Sequence, residues 1–194
     1  KMADAILTLN AGSSSLKFAL FEQDGANGAT PVVRGEVEQI AIDPHFAARD
    51  ASGAVLADAR WPQAAGDFQL LFEKVIDWTE SHLGEGQLIA VGHRVVHGGS
   101  NHARPERVTP ELLSALDQLT PMAPLHQPQN LAPIRAIAAA RPGLPQVVCF
   151  DTAFHHTMPA VARRFALPRE YEAMGVRRYG FHGTSHKYIA QQAA

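Results

Sequence analysis

The segment AILTLNAGSSSLKFALF, residues 5–21, decides how the chain begins to fold. Its two ends, Ala5 to Leu9 and Leu16 to Phe21, are short apolar runs of the length and composition of strands. Between them residues 10–17 form a small polar turn holding Gly12 and three serines, so the runs return on each other as an antiparallel pair. Such a turn has two readings. Glycine and serine favour an ordinary β-hairpin turn. They also let backbone N–H groups and hydroxyls close around a phosphate, with Lys17 neutralising an oxygen. Three consecutive serines and a lysine exceed what a turn needs, which favours the phosphate reading. The segment is not a Walker A loop, because G-x-x-x-x-G-K-[ST] is absent and the turn joins two strands instead of leading into a helix.

Working outward, Val32 to Ile40 supplies a third strand, and Asp50, Ser52 and Gly53 punctuate a hairpin between residues 46 and 60. Phe68, Leu71, Phe72, Val75, Ile76 and Leu83 fall on one face of a helix over 67–83 that ends at Gly84. Leu88 to Val91 reads as a short strand. Thr109 as N-cap and Pro110 at the first helical position open a helix carrying Leu112, Leu113, Leu116 and Leu119. Another runs from about Asn130 to Ala140, with Pro133 tolerated in its first turn. Gln146 to Phe150 is a buried strand, and a last helix begins near Thr184. Strand, helices and strand over 88–150 require a crossover, hence parallel pairing. The expectation is an α/β chain with a mixed sheet flanked by helices.

At 194 residues, one domain can bury about 70% of its unfolded surface. A content of 46% hydrophobic and 19% charged residues is that of an ordinary globular chain, and no apolar run approaches the roughly 20 residues that span a bilayer. The net charge of −2 and the lack of lysine or arginine tracts argue against a nucleic-acid surface, so small molecules are the expected partners and a membrane is not. The single cysteine, Cys149, lies in an apolar run and reads as a buried, inert thiol in a reducing cytoplasm. Lys1 ahead of Met2 reads as an added residue, and Ala5 to Leu9 is too short for the core of a signal peptide.

Polar chemistry gathers where the elements end. Residues 92–99 (GHRVVHGG) follow one strand, Pro124, Leu125 and His126 lie in a proline-rich loop, and Asp151 and Thr152 close another strand. Residues 177–186 (RRYGFHGTSH) enter a helix whose N-terminus could face an anion. Ligands of open α/β sheets bind outside such strand ends. Each residue also has a plainer reading. Arg94 alone is as readily a structural ion pair, Asp151 a carboxylate bonded to its own turn, and Val96, Leu125 and Phe181 ordinary core. His93 with His97, and His182 with His186, are four apart, yet neither pair sits in H-E-x-x-H, so a metal site is a poor reading. His45, His82 and His102 read as surface or packing residues.

Taken together, residues 10–17, 92–99, 124–126, 150–159 and 179–186 resemble the motifs of the acetokinase family, in that family's order over nearly the whole chain. The family belongs with sugar kinases, heat-shock chaperone ATPases and actin. The resemblance implies a ribonuclease-H-like βββαβαβα domain, residues 1–194, forming the N-terminal half of such a kinase. The nucleotide-binding C-terminal half would be absent and this half alone inactive or nearly so.

The same resemblance implies roles. Asn10 would stand near Mg2+ (or Mn2+), holding metal-bound water. Gly12, Ser13, Ser15 and Lys17 would meet the phosphates of ATP. Arg94 would bind the carboxylate of acetate or the acyl phosphate, with Val96, Leu125 and Phe181 around the methyl group. His182 would stabilise the transferring phosphoryl group, and His126 would line the site. Asp151 matches an aspartate described as a proton donor or acceptor. Acetate is already ionised near neutral pH, so an orienting role is the better expectation. The reaction implied is ATP and acetate giving ADP and acetyl phosphate in a cytoplasmic enzyme. The whole protein would be a homodimer and this half monomeric. Propionate or butyrate could replace acetate, since one methylene changes discrimination by only about 1–3 kcal/mol. A nucleotide-binding or regulatory module without transferase chemistry is the alternative of another class.

Overall fold

The computed structural model describes residues 4–25 and 28–194; Lys1 and Met2 lie outside the described residues. In chain order the strands and helices are β1 (Ala5–Ala11), β2 (Ser15–Asp24), β3 (Gly28–Glu38), β4 (His45–Asp50), β5 (Val55–Arg60), α1 (Phe68–Leu83), β6 (Leu88–Val95), β7 (Glu106–Arg107), α2 (Pro110–Asp117), α3 (Gln127–Ala140), β8 (Gln146–Phe150), α4 (Ala160–Arg163), α5 (Arg169–Ala173) and α6 (Gly183–Gln192). The strands form one sheet in the order β5-β4-β3-β2-β1-β6-β8-β7. The β1 to β5 ladder is antiparallel throughout, whereas β6 lies parallel to β1 and β8 parallel to β6. This is the mixed α/β sheet expected, widened at one edge by the β4–β5 hairpin and at the other by the short antiparallel β7.

Alternation along the central strands divides the sheet into two unlike faces. Ala5, Leu7, Leu9 and Ala11 of β1 are buried, and so are Val91, His93 and Val95 of β6. They pack beneath α1 and α3, where Leu71, Phe72, Val75, Ile76 and Ile137 complete the larger core. A smaller core joins Val95, Val148 and Phe150 to Leu112 and Leu116 of α2 and to Leu131 and Ile134 of α3. The opposite face carries Thr8, Asn10, Lys17, Gly92, Arg94 and Cys149, none of them fully buried. Local signals set the helix ends. Asp67 caps α1 by accepting from the Leu70 N–H at 3.0 Å, Gly84 ends it at φ 59°, and Thr109 accepts from the Leu112 N–H to start α2.

Four expectations need correction. The turn in the opening segment is confined to Gly12, Ser13 and Ser14, because Asn10 and Ala11 stay in β1 and Lys17 pairs with Asn10 across the hairpin. Strand β6 continues through Val95, held by parallel partners on both sides, so Arg94 lies within a strand and not after one. Helix α3 starts at Gln127, with Pro128 in its first turn, which leaves Pro133 in the interior. There it removes the N–H that would have met the carbonyl of Gln129. Lastly, Cys149 is only half-buried and faces the open side of the sheet.

Candidate functional site

Where β1 and β6 end side by side, α3 sends in an amide. The Asn130 side chain is buried, accepts from the Val96 N–H at 2.9 Å and donates to the Ala11 carbonyl at 2.8 Å. It bridges the two strands at the point where one enters the Gly12–Ser14 turn and the other leaves the sheet. One turn earlier, Gln127 donates to the carbonyls of His97 and Leu116 at 3.0 and 3.2 Å and accepts from the His97 N–H. Residues 96–98 therefore keep a fixed path without a strand partner, and the Gly98 N–H completes it by donating to the Thr152 hydroxyl at 2.9 Å. These are the obligatory backbone partners that a buried loop must find.

Arg94 emerges from β6 onto the open face and meets Asp151, which follows the end of β8. The guanidinium Nε and Nη2 both donate to Asp151 Oδ2, at 2.9 and 2.5 Å, and Nη1 donates to Asn10 Oδ1 at 3.3 Å. The Arg94 side chain is 25% exposed and that of Asp151 is 0% exposed. The other carboxylate oxygen, Oδ1, accepts from the Thr184 hydroxyl at 2.7 Å and from its N–H at 3.3 Å. Burial by itself would raise the Asp151 pKa, but the Arg94 and Thr184 bonds outweigh it and hold the carboxyl below its ordinary value. Asp151 is thus an ionised group with both oxygens engaged. Of the five guanidinium N–H groups, the side facing Asp151 uses two and Asn10 one, leaving two donors on the terminal nitrogens for a ligand.

Asn10, Lys17, Arg94 and Thr184 line one cleft of about 450 Å3 whose floor is Thr8, Gly92 and Cys149. Burial raises the Cys149 pKa, so the floor carries a thiol and not a thiolate. Gly12 and Ser15 close the hairpin turn through a 2.8 Å bond from the Gly12 N–H, with Ser13 exposed at its tip. His182 is exposed immediately before α6 in a left-handed conformation, φ 55° and ψ 26°, which is uncommon for a residue with a side chain. The next residue must be glycine, since a Cβ on Gly183 would sit 1.9 Å from the Asp151 carbonyl oxygen.

The remaining expected residues do not form one enclosed wall. Val96 is buried, Leu125 is 76% exposed and Phe181 is 43% exposed with its ring 6.0 Å from that of His97. His126 is exposed at the start of α3, where its N–H caps the Ala123 carbonyl. Among the described residues no group of three or more His, Cys, Asp or Glu side chains could hold a metal ion. A neutral amide at Asn10 beside serine hydroxyls suits Mg2+ carried on phosphate oxygens with its waters retained, rather than a metal cage made of protein. The sequence alone assigns no site role to Asn130, Gln127 or Thr152. The available signal for the first two was a cluster of amide side chains, Gln127, Gln129 and Asn130, in the first turn of a helix that is mostly apolar beyond it.

The chain is similar to known kinases. The acetokinase family model matches residues 5–194. An acetate kinase of Rhodopseudomonas palustris is 46% identical over 190 residues, covering 97% of this chain and 48% of the relative. Among solved structures, the acetate kinase of Porphyromonas gingivalis superposes with a TM-score of 0.82 at 35% identity. A propionate kinase from Francisella tularensis does so at 0.83 and 36%. Each superposition covers 98% of this chain and 48% of the other. The chain spans about half the length of the relatives it matches.

Proposed function

This chain belongs to the acetokinase family, and from that premise we propose that it is the carboxylate- and phosphate-binding half of an acetate kinase. Residues 1–194 form the N-terminal domain, and the adenosine of ATP is held by a C-terminal domain beyond them. The observation that carries the reading is the Arg94 guanidinium, fixed by Asp151 yet keeping two donors toward a cleft whose other rim bears Asn10 and Lys17. A planar fork of two N–H groups matches a carboxylate, which a lysine would not.

The chemistry needs little else. A carboxylate oxygen of acetate attacks the γ-phosphorus of ATP, the bond to the ADP oxygen breaks, and no proton has to move because acetate is already an anion. Arg94 orients the nucleophile and offsets its charge. The serine hydroxyls of the hairpin turn, where Gly12 leaves room for close approach, together with Lys17 receive phosphate oxygens. His182 donates to the equatorial oxygens during transfer, and His126 lines the approach. Asn10 would hold a water of the Mg2+ carried in with ATP, and that ion would supply charge neutralisation on the phosphates. Asp151 acts by holding Arg94 and not as an acid or base, consistent with its lowered pKa. Val96, Leu125 and Phe181 surround the methyl group once the second domain covers the exposed pair.

The test is acetyl phosphate formation by the full-length protein with Arg94→Ala. Losing a charge-assisted, two-point contact is expected to lower kcat/KM for acetate about 100-fold or more. Unchanged turnover would instead favour a nucleotide-binding module without transferase chemistry. Propionate as acceptor is the second reading, favoured by the propionate kinase neighbour. Comparing kcat/KM for acetate, propionate and butyrate decides it. The whole protein is expected to be a cytoplasmic homodimer, and the 194-residue chain to be monomeric and to turn over little or no acetate.

A further inference from the structure

We propose that Thr184 is a positioning residue for the carboxylate site: its hydroxyl fixes the Asp151 carboxylate and so couples the start of α6, with His182, to the direction in which Arg94 points. The inference rests on the reading of Arg94 as the group that binds the acceptor. Asp151 Oδ2 serves both Arg94 donors, so rotation of the carboxylate about its own axis would exchange the two oxygens and tilt the guanidinium. What resists that rotation is Oδ1, and its two partners are the hydroxyl and the N–H of Thr184.

The two bonds are unequal. The hydroxyl lies at 2.7 Å, the N–H at 3.3 Å. The Thr184 hydroxyl is therefore the closer restraint on a carboxylate that has no exposure to water. The connection is also short in the chain. His182 takes a left-handed backbone conformation, Gly183 packs against the Asp151 carbonyl with no room for a side chain, and Thr184 turns back onto the Asp151 carboxylate. A displacement of α6 must move His182 and the Asp151–Arg94 pair together. Thr184 itself is largely exposed and lines the cleft, so it is not part of the core that stabilises the fold.

Substituting Thr184 tests this without unfolding the chain. Thr184→Val keeps the volume and removes the hydroxyl, and Thr184→Ser keeps the hydroxyl. In the 194-residue chain, NMR titration of the Asp151 carboxyl carbon is expected to show a higher pKa in Thr184→Val than in the unaltered chain. The Arg94 Nε–H is expected to exchange faster, and both are restored in Thr184→Ser. In the full-length protein Thr184→Val is expected to raise KM for acetate about tenfold with a smaller effect on KM for ATP, and Thr184→Ser to recover it. An unchanged Asp151 titration in Thr184→Val, or a defect that serine does not repair, overturns the proposal. If the full-length protein does not phosphorylate acetate at all, the proposed function fails, while the titration still decides whether Thr184 holds Asp151.

Discussion

His93 and Arg94 are neighbours on one strand, and the sheet treats them in opposite ways. His93 faces the helices. It is 3% exposed, its Nε2 donates to Gln146 Oε1 at 2.7 Å, and the Gln146 amide donates to the Ile134 carbonyl. Among the described residues no charge meets it, and burial pushes its pKa down to about 4 against the raising effect of Gln146. Arg94 faces the open side, where a charge can be kept because Asp151 opposes it and solvent reaches a quarter of the side chain. One face of the sheet excludes charge to build a core. The other retains it at a strand end, where chemistry on anions is possible. The strongest way to break the contrast is Arg94→Ala, which leaves the Asp151 carboxylate buried beside Thr184 alone. Removing one partner of such a pair is expected to cost about 3–5 kcal/mol at pH 7. Urea denaturation should show the deficit shrinking toward pH 4, because an unpaired Asp151 becomes protonated and loses its penalty.

The helix face yields the next largest effect. His93 binds its proton less readily folded, at about 4, than unfolded, near 6.5, so the unfolded chain holds more protons between those values. Stability is therefore fully present above pH 6.5 and declines as pH falls to about 4, by about 3 kcal/mol in all. Asp151, with its lowered pKa, adds loss only at more acid pH. His93→Leu should flatten the part of the stability curve between pH 6.5 and 4, and a curve of unchanged slope would show that another group titrates there. Somewhat smaller is Asn130→Ala, which strands the Val96 N–H and the Ala11 carbonyl. A loss of about 2–3 kcal/mol is expected in the same denaturation experiment.

Strands and amphipathic helices were legible in the sequence because their signal is periodic burial, as in β1 and in the Phe68 to Leu83 face. The ends were less so. Nothing local says that Gly92 to Val95 continues a strand, since the reason is the pair of parallel neighbours β1 and β8. Likewise Pro133 could be assigned to a first turn only while the helix start at Gln127 was unknown. Asn10, Lys17, Arg94 and Asp151 could be named as candidates from motifs, but the Arg94–Asp151 pairing spans 57 positions and follows from register, not spacing. Thr184 stood in a motif without a role, because only the fold brings its hydroxyl to Asp151. Leu125 and Phe181 were expected to line an apolar pocket, and both are exposed here.

The smallest expected effect on stability sharpens the comparison most. If the open face is kept for binding and not for folding, a substitution there should separate the two properties. Lys17 is exposed on β2 opposite Asn10 and lines the cleft. Its removal empties no core space and leaves no buried group unpaired, so Lys17→Ala should shift Tm by no more than about 2 °C, as exposed substitutions generally do. In the full-length protein the same change should raise KM for ATP about tenfold or more through loss of a phosphate contact. Asn130→Ala should do the reverse in proportion, costing stability first. A Lys17→Ala chain that melts many degrees lower, or a full-length Lys17→Ala enzyme with normal KM for ATP and normal kcat, would mean that the open face is structural after all and that the division drawn between His93 and Arg94 is local to one strand.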